Sequence, residues 1–107
     1  MHKELVLMHE IVSFKEFEKS CEKLLGEDQQ VVIENLVGSN PKVGALYEGT
    51  GGIRKLPWPQ STDHKNDIKG TVYYFYKDRS LPLYLISVFK PGAKQTLAKT
   101  IEIMVAR

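Results

Sequence analysis

The sequence predicts a small α+β domain: a mostly antiparallel sheet, a helical hairpin near the N-terminus and a helix that closes the chain. Three observations carry this expectation. Apolar residues recur at helical spacing over 14–25 and again over 32–37, two runs of β-branched and aromatic residues flank a five-residue connection at 78–82, and helical spacing returns over 93–107. With 107 residues the chain makes one domain, able to bury about two thirds of its unfolded surface and to fold without cross-links.

The elements follow in order. Residues 5–12 read as an apolar first strand. Ser13 is placed to cap a helix, with Glu16 three residues on to complete a capping box, and Phe14, Phe17, Cys21, Leu24 and Leu25 share one face of that helix. Gly26 ends it. Asp28 caps a second helix whose apolar face holds Val32, Ile33, Leu36 and Val37, and Gly38, Ser39, Asn40 and Pro41 supply its stop signal. A loop over 40–52 then leads to a strand over 53–56, closed by Pro57, Trp58 and Pro59. The stretch 60–69 is polar without periodicity and reads as a loop.

Residues 71–77 and 83–89 form the hairpin. Alternation puts Val72, Tyr74 and Tyr76 on one face and Tyr73 and Phe75 on the other; in the partner strand Leu83, Leu85 and Phe89 oppose Tyr84, Ile86 and Val88. Both faces are largely apolar, which places this hairpin inside the sheet with cover on each side. Leu97, Ile101, Met104 and Val105 give the closing helix a strongly apolar face.

The net charge of +2 conceals an asymmetry. Residues 1–52 carry five Lys/Arg against nine Asp/Glu, whereas 53–107 carry ten against four, so the second half is where a polyanion is attracted. The apolar run at 5–8 is cut by His9 and Glu10, far short of a membrane span or a signal-peptide core, so the expected location is cytoplasmic with no membrane partner. Cys21 is alone and flanked by apolar positions, which reads as a buried small residue. His2, His9 and His64 show no metal-ligand spacing with each other or with Cys21, and no metal is expected.

Residues 49–58, Gly-Thr-Gly-Gly-Ile-Arg-Lys-Leu-Pro-Trp, are the most informative stretch. A nucleotide-binding P-loop requires the glycines to end in Gly-Lys-Ser/Thr at a helix N-terminus; here Pro57 follows a strand, which argues against ATP or GTP. Paired cations on a strand suit phosphates differently: guanidinium grips two oxygens and ammonium supplies a point charge. Because neighbouring strand residues face opposite ways, only one of Arg54 and Lys55 is expected to point into a site.

Four segments together resemble the RelE/HigB superfamily of bacterial toxins, in the branch with a Gly-Thr-Gly-Gly-hydrophobic-Arg-Lys turn. They are residues 39–44, 48–56, 72–76 and 83–90, in that order, so the resemblance covers nearly the whole chain. It implies a toxin of a type II toxin–antitoxin pair that enters the ribosomal A site and cuts messenger RNA, the RNA's own 2′-hydroxyl attacking the adjacent phosphate. The implied partners are the ribosome, its messenger RNA and a small, DNA-binding antitoxin, with no small-molecule cofactor. Such a protein works by placing the strand in line and neutralising charge that grows on the phosphorane.

Carried over residue by residue, the resemblance assigns Arg54 and Lys55 to phosphate contact and transition-state charge, and Lys90 to the basic position at the end of the last strand. Where the family commonly has an arginine this chain has Gly70, with Lys69 beside it as the nearest cation. The catalytic candidates are thus Arg54, Lys55, Lys69 and Lys90; the RNA-contacting set adds His64, Lys65 and Lys94. For the general acid or base, Lys69, Lys94, Tyr84 and His64 stay open. After Lys90 the chain reads Pro91, Gly92, Ala93 where many relatives continue with charged residues. These departures keep a second reading open: a non-enzymatic protein on the same fold, either a gyrase-directed toxin like the ParE branch or a degraded toxin that only binds its antitoxin.

Three aromatic features have plainer readings. Trp58 between prolines is expected to cover the end of the sheet rather than stack on a base, and Tyr73, Tyr74 and Tyr76 to be core. The apolar face of the closing helix either packs on the domain's own sheet or meets an antitoxin segment.

Overall fold

The computed structural model describes residues 8–59 and 67–106. Its elements are β1 (Ile11–Ser13), α1 (Lys15–Leu24), α2 (Gln29–Ser39), β2 (Ala45–Leu46), β3 (Ile53–Trp58), β4 (Gly70–Phe75), β5 (Leu83–Phe89) and α3 (Thr96–Val105). The five strands lie in the order β1-β5-β4-β3-β2. Only β1 runs parallel to its neighbour; the other pairs are antiparallel, so the α+β class holds with a mixed sheet.

Helices α1 and α2 cover one face of the sheet. Phe17 and Cys21, one turn apart, meet Ile33 and Val37 of α2 and are packed with Leu56, Val72, Tyr74, Leu83 and Leu85. Burial pushes the Cys21 thiol up to about 11, with the Glu34 carboxylate adding to the rise. Trp58 is 7% exposed and donates its indole N–H to Gln29 Oε1 at 3.0 Å, so it packs at the end of the sheet. Helix α3 lies on the opposite face, its Thr100 fully buried.

Several local expectations are corrected. The first strand occupies Ile11–Ser13 rather than 5–12; Met8, His9 and Glu10 lie outside any strand, and residues 5–7 fall outside the described part. Ser13 is in that strand and donates its hydroxyl to Glu34 at 2.7 Å, so Phe14 becomes the N-cap of α1 and the capping box does not form. Leu83 N–H to the Glu10 carbonyl and Phe14 N–H to the Leu85 carbonyl hold this region to β5, and that pairing outweighs a local cap. Asp28 occupies its capping position without a side-chain bond. On α2, Val32 is 47% exposed, because Ile33 and Val37 already fill the inner face.

The 40–52 loop contains the two-residue β2, and β3 runs on through Pro57 to Trp58. A proline is tolerated there because β2 pairs only as far as Lys55, so the position beyond it has no strand on that side. Between Tyr73 and Tyr74 of β4 the register with β5 shifts, which leaves Ile86 of β5 as the extra residue. This bulge reverses the alternation: Val88 joins Leu83 and Leu85 in the core, opposite Val72, while Phe89 pairs with Thr71. The closing helix starts at Thr96 instead of 93, with Ile101 41% and Val105 78% exposed. Its apolar stripe is only partly covered. Among the described residues no helix is long and apolar enough to cross a membrane.

Leu85 is fully buried in this core. Leu85→Ala is therefore expected to lose about 2–5 kcal/mol in urea unfolding, whereas Val32→Ser on the exposed flank of α2 changes stability by no more than about 0.5 kcal/mol.

Candidate functional site

The glycine turn is a closed connection between two strands. Tyr47 N–H reaches the Ile53 carbonyl at 2.9 Å across it. Inside, Thr50 donates its hydroxyl to the Tyr47 carbonyl at 2.6 Å and accepts the Ile53 N–H at 3.1 Å. Gly49, Gly51 and Gly52 all take positive φ, which this tight course requires. The turn thus delivers β3 in register.

Along β3, Arg54 pairs with Tyr74 and Lys55 with Tyr73, so the two cations leave the sheet on opposite faces. Arg54 lies on the α1–α2 side. Its Nη1 donates to the Gly44 carbonyl at 2.7 Å and to the Lys42 carbonyl at 3.4 Å, while its Nε is buried without a partner among the described residues. Tyr74 completes the arrangement, accepting the Gly44 N–H and donating to the Pro41 carbonyl, each at 2.8 Å. A Cβ on Gly44 would come within 2.9 Å of the Lys55 carbonyl and of the Tyr74 ring and hydroxyl, so only glycine fits this crossing. Burial raises the Tyr74 phenol above its ordinary value, with the Gly44 N–H and the Arg54 cation offsetting part of the rise.

Hydrogen bonds to a charged group contribute about 1.5–3 kcal/mol each. Arg54 would have to give up such bonds to grip a phosphate, which sets it apart from its neighbour.

Lys55 is exposed on the other face. Its Nζ lies 5.1 Å from the centre of the Tyr47 ring. A cation–π contact at an exposed site is worth only about 0.5–1 kcal/mol, so an anion can draw this lysine away at small cost. Tyr47 stacks alongside Tyr73, with ring centres 6.0 Å apart and planes at 18°, and their hydroxyls are 3.3 Å apart. The Tyr73 hydroxyl also lies 2.6 Å from Thr96 Oγ1, at the first residue of α3. Phe89 braces the Tyr73 ring edge-on at 5.3 Å.

One cation, one partly exposed aromatic ring and three hydroxyls are therefore gathered on a single face. Burial pushes the Tyr73 phenol up to about 12; the Thr96 hydrogen bond opposes this and Tyr47 adds to it. Tyr73 is accordingly a neutral hydrogen-bonding group at physiological pH and cannot serve as a base there.

The other expected site residues are scattered. Lys69 is exposed just before β4, its N–H on the Trp58 carbonyl at 2.8 Å. Lys94 is exposed in the turn that leads to α3. Lys90 lines a groove with Ser20, Lys23 and Leu24 of α1, across the sheet from Lys55. His64 and Lys65 lie outside the described residues. Tyr84 is held between the rings of Phe14 and Phe75.

At Gly70 a Cβ would meet Val88 Cγ1 at 2.8 Å, so the position that the resemblance gives to an arginine is packed against the core here. Among the described residues no group of three or more His, Cys, Asp or Glu is placed to hold a metal ion.

Sequence reasoning missed Tyr47 and Thr96 and read Tyr73 only as core. Tyr73 is indeed 4% exposed; its ring is core while its hydroxyl belongs to the patch. The available signal was position: Tyr47 sits just before the glycine turn, two residues beyond Ala45, the residue that pairs with Lys55. No family model matches the chain.

The Tyr73 phenol gives a pH prediction. Its native pKa of about 12 exceeds the ordinary 10.0, so between those values the folded chain keeps a proton that the unfolded chain has lost. Its contribution to stability is complete below pH 10 and disappears as pH rises to about 12. Tyr73→Phe should flatten this alkaline loss in thermal unfolding measured across that window, with Tyr74 accounting for part of the slope that stays; an unchanged slope contradicts the assignment.

Proposed function

We propose that this chain is a ribosome-dependent messenger-RNA endoribonuclease of the RelE/HigB type, the toxin of a type II toxin–antitoxin module that acts in the cytoplasm. The observation that carries the reading is the exposed Lys55 beside Tyr47, backed by the Tyr73 and Thr96 hydroxyls. The resemblance over residues 48–56 points to the same strand. RNA is recognised largely through phosphates and through unstacked bases laid on aromatic rings. Lys55 supplies the cation and Tyr47 the ring, while Lys69 and Lys94 add exposed positive charge in the basic half of the chain.

In this reaction the RNA 2′-hydroxyl gives up its proton to solvent and its oxygen forms a bond to phosphorus as the bond to the 5′-oxygen breaks; the 5′-oxygen takes up a proton, leaving a cyclic phosphate and a 5′-hydroxyl. Lys55 neutralises the charge gathering on the phosphoryl oxygens, and the protonated Tyr73 and Thr96 hydroxyls are available as donors. Arg54 holds the loop that carries Tyr47 toward the site and is a positioning residue.

A second reading has its own support. Arg54 is occupied by backbone carbonyls and Gly70 stands at the start of β4 in place of an arginine, which suits a protein on this fold that binds its antitoxin or DNA gyrase without cutting RNA.

Mapping messenger-RNA 5′ ends in a bacterial translation system separates the two. Active protein yields cuts within translated frames, and Lys55→Ala lowers their yield by about 10²–10³-fold, the scale for losing one preorganised charge-stabilising donor. Intact messages with failing supercoiling favour the gyrase reading; intact messages with continuing translation favour antitoxin binding alone.

A further inference from the structure

Lys90 was expected at an RNA site, yet its surroundings differ in kind from those of Lys55. Where β5 ends, a groove of about 330 Å³ opens between that strand and α1. Leu24, Val88, Phe89 and Ala93 make its lining mostly apolar, and Lys23 and Lys90 flank it from different elements. The one polar neutral group in the wall is already satisfied: Ser20 Oγ accepts the Val88 N–H at 2.8 Å and donates to the Glu16 carbonyl at 2.6 Å. Among the described residues no acidic side chain lines the groove, and the ion pair found among them, Lys99 with Glu102, lies within α3.

We propose that this groove docks an acidic peptide segment of a partner protein, with one bulky apolar side chain in the groove and carboxylates on either side reaching Lys23 and Lys90. The chemistry favours peptide over RNA. A phosphodiester laid on this floor loses water and gains no hydrogen-bond donor from Leu24, Val88 or Ala93. An aliphatic or aromatic side chain gains by leaving water there, and flanking carboxylates match two cations that have no acidic neighbour in the groove. This arrangement follows the common pattern of an apolar anchor within a charged rim. The inference does not rest on the RNA reading, since neither Lys55 nor Tyr47 lines the groove; Phe89, which also meets Tyr73 edge-on, is the residue common to both places.

The test uses the full chain, ¹⁵N-labelled, and a fluorescent peptide with tryptophan and leucine at its centre and three acidic residues on each side. The expected result is saturable binding, with amide shifts concentrated at Ser20 to Leu24 and Val88 to Ala93. Lys23→Glu combined with Lys90→Glu weakens binding at least tenfold with unchanged circular dichroism, and Lys55→Ala leaves it unaltered. A control peptide with a glycine-serine centre binds at least tenfold more weakly. Equal binding of the control peptide overturns the proposal, because it means that charge alone is recognised. Shifts centred on Tyr47 and Lys55 overturn it as well, and so does a single-stranded RNA decamer that moves the groove amides while the peptide does not.

Discussion

The Tyr74 hydroxyl is the point on which the placement of the remaining polar groups depends. Its ring is fully buried in the core between sheet and helices, and its oxygen reaches out to bind Gly44 N–H and the Pro41 carbonyl. Arg54 ties the same residue from its carbonyl side. Residues 41–44 are therefore held to the sheet at both their donor and acceptor groups. From that hold the chain enters β2 in register with β3, Ala45 opposite Lys55, and this pairing puts Tyr47 within reach of Lys55 and Tyr73. Core packing, a glycine that admits the close crossing and a two-residue strand are thus steps in one sequence that ends at the polar patch.

The same arrangement separates two cations that look alike in the sequence. Strand alternation sends Arg54 and Lys55 to opposite faces, and what each meets there decides its use. Arg54 finds backbone carbonyls in partly buried surroundings, where charge-assisted bonds are stronger and where removal leaves the Gly44 carbonyl without this donor. Lys55 finds an aromatic ring at an open surface, a weak and exchangeable contact. A tied cation and an exchangeable one thus sit on adjacent residues. The part-buried hydroxyl of Tyr73 and the first residue of α3 extend the open side, so the least covered of the described helices also borders the patch.

Much of the fold was legible because periodicity reports burial directly. Phe17 and Cys21 on α1, Ile33 and Val37 on α2, and Val72, Tyr74 and Leu85 in the hairpin lie in the core as their spacing requires. The errors arose where a tertiary bond outweighs a local rule. Ser13 prefers Glu34 and a parallel strand to a cap; the bulge in β5 reverses Val88 and Phe89, an event of register that alternation alone does not contain. Pro57 stays in a strand because its outer neighbour is too short to reach it. Alternation foretold that Arg54 and Lys55 leave the sheet on opposite faces. Which of them is tied to backbone was hidden, because the answer lies in the carbonyls of a loop 10 residues earlier in the chain. Tyr47 was missed for the same reason: its part depends on the pairing of a strand only two residues long.

The central claim is that Arg54 holds the loop and Lys55 does not, and the Gly44 amide reports on it directly. Hydrogen exchange at Gly44, followed by NMR in the native protein and in Arg54→Ala and Lys55→Ala, measures how often this N–H leaves the buried Tyr74 oxygen. Exchange should be slow in the native protein and in Lys55→Ala, and at least tenfold faster in Arg54→Ala. If Gly44 exchanges as an open loop in the native protein, or responds to Lys55→Ala and not to Arg54→Ala, the division of roles between the two cations is contradicted.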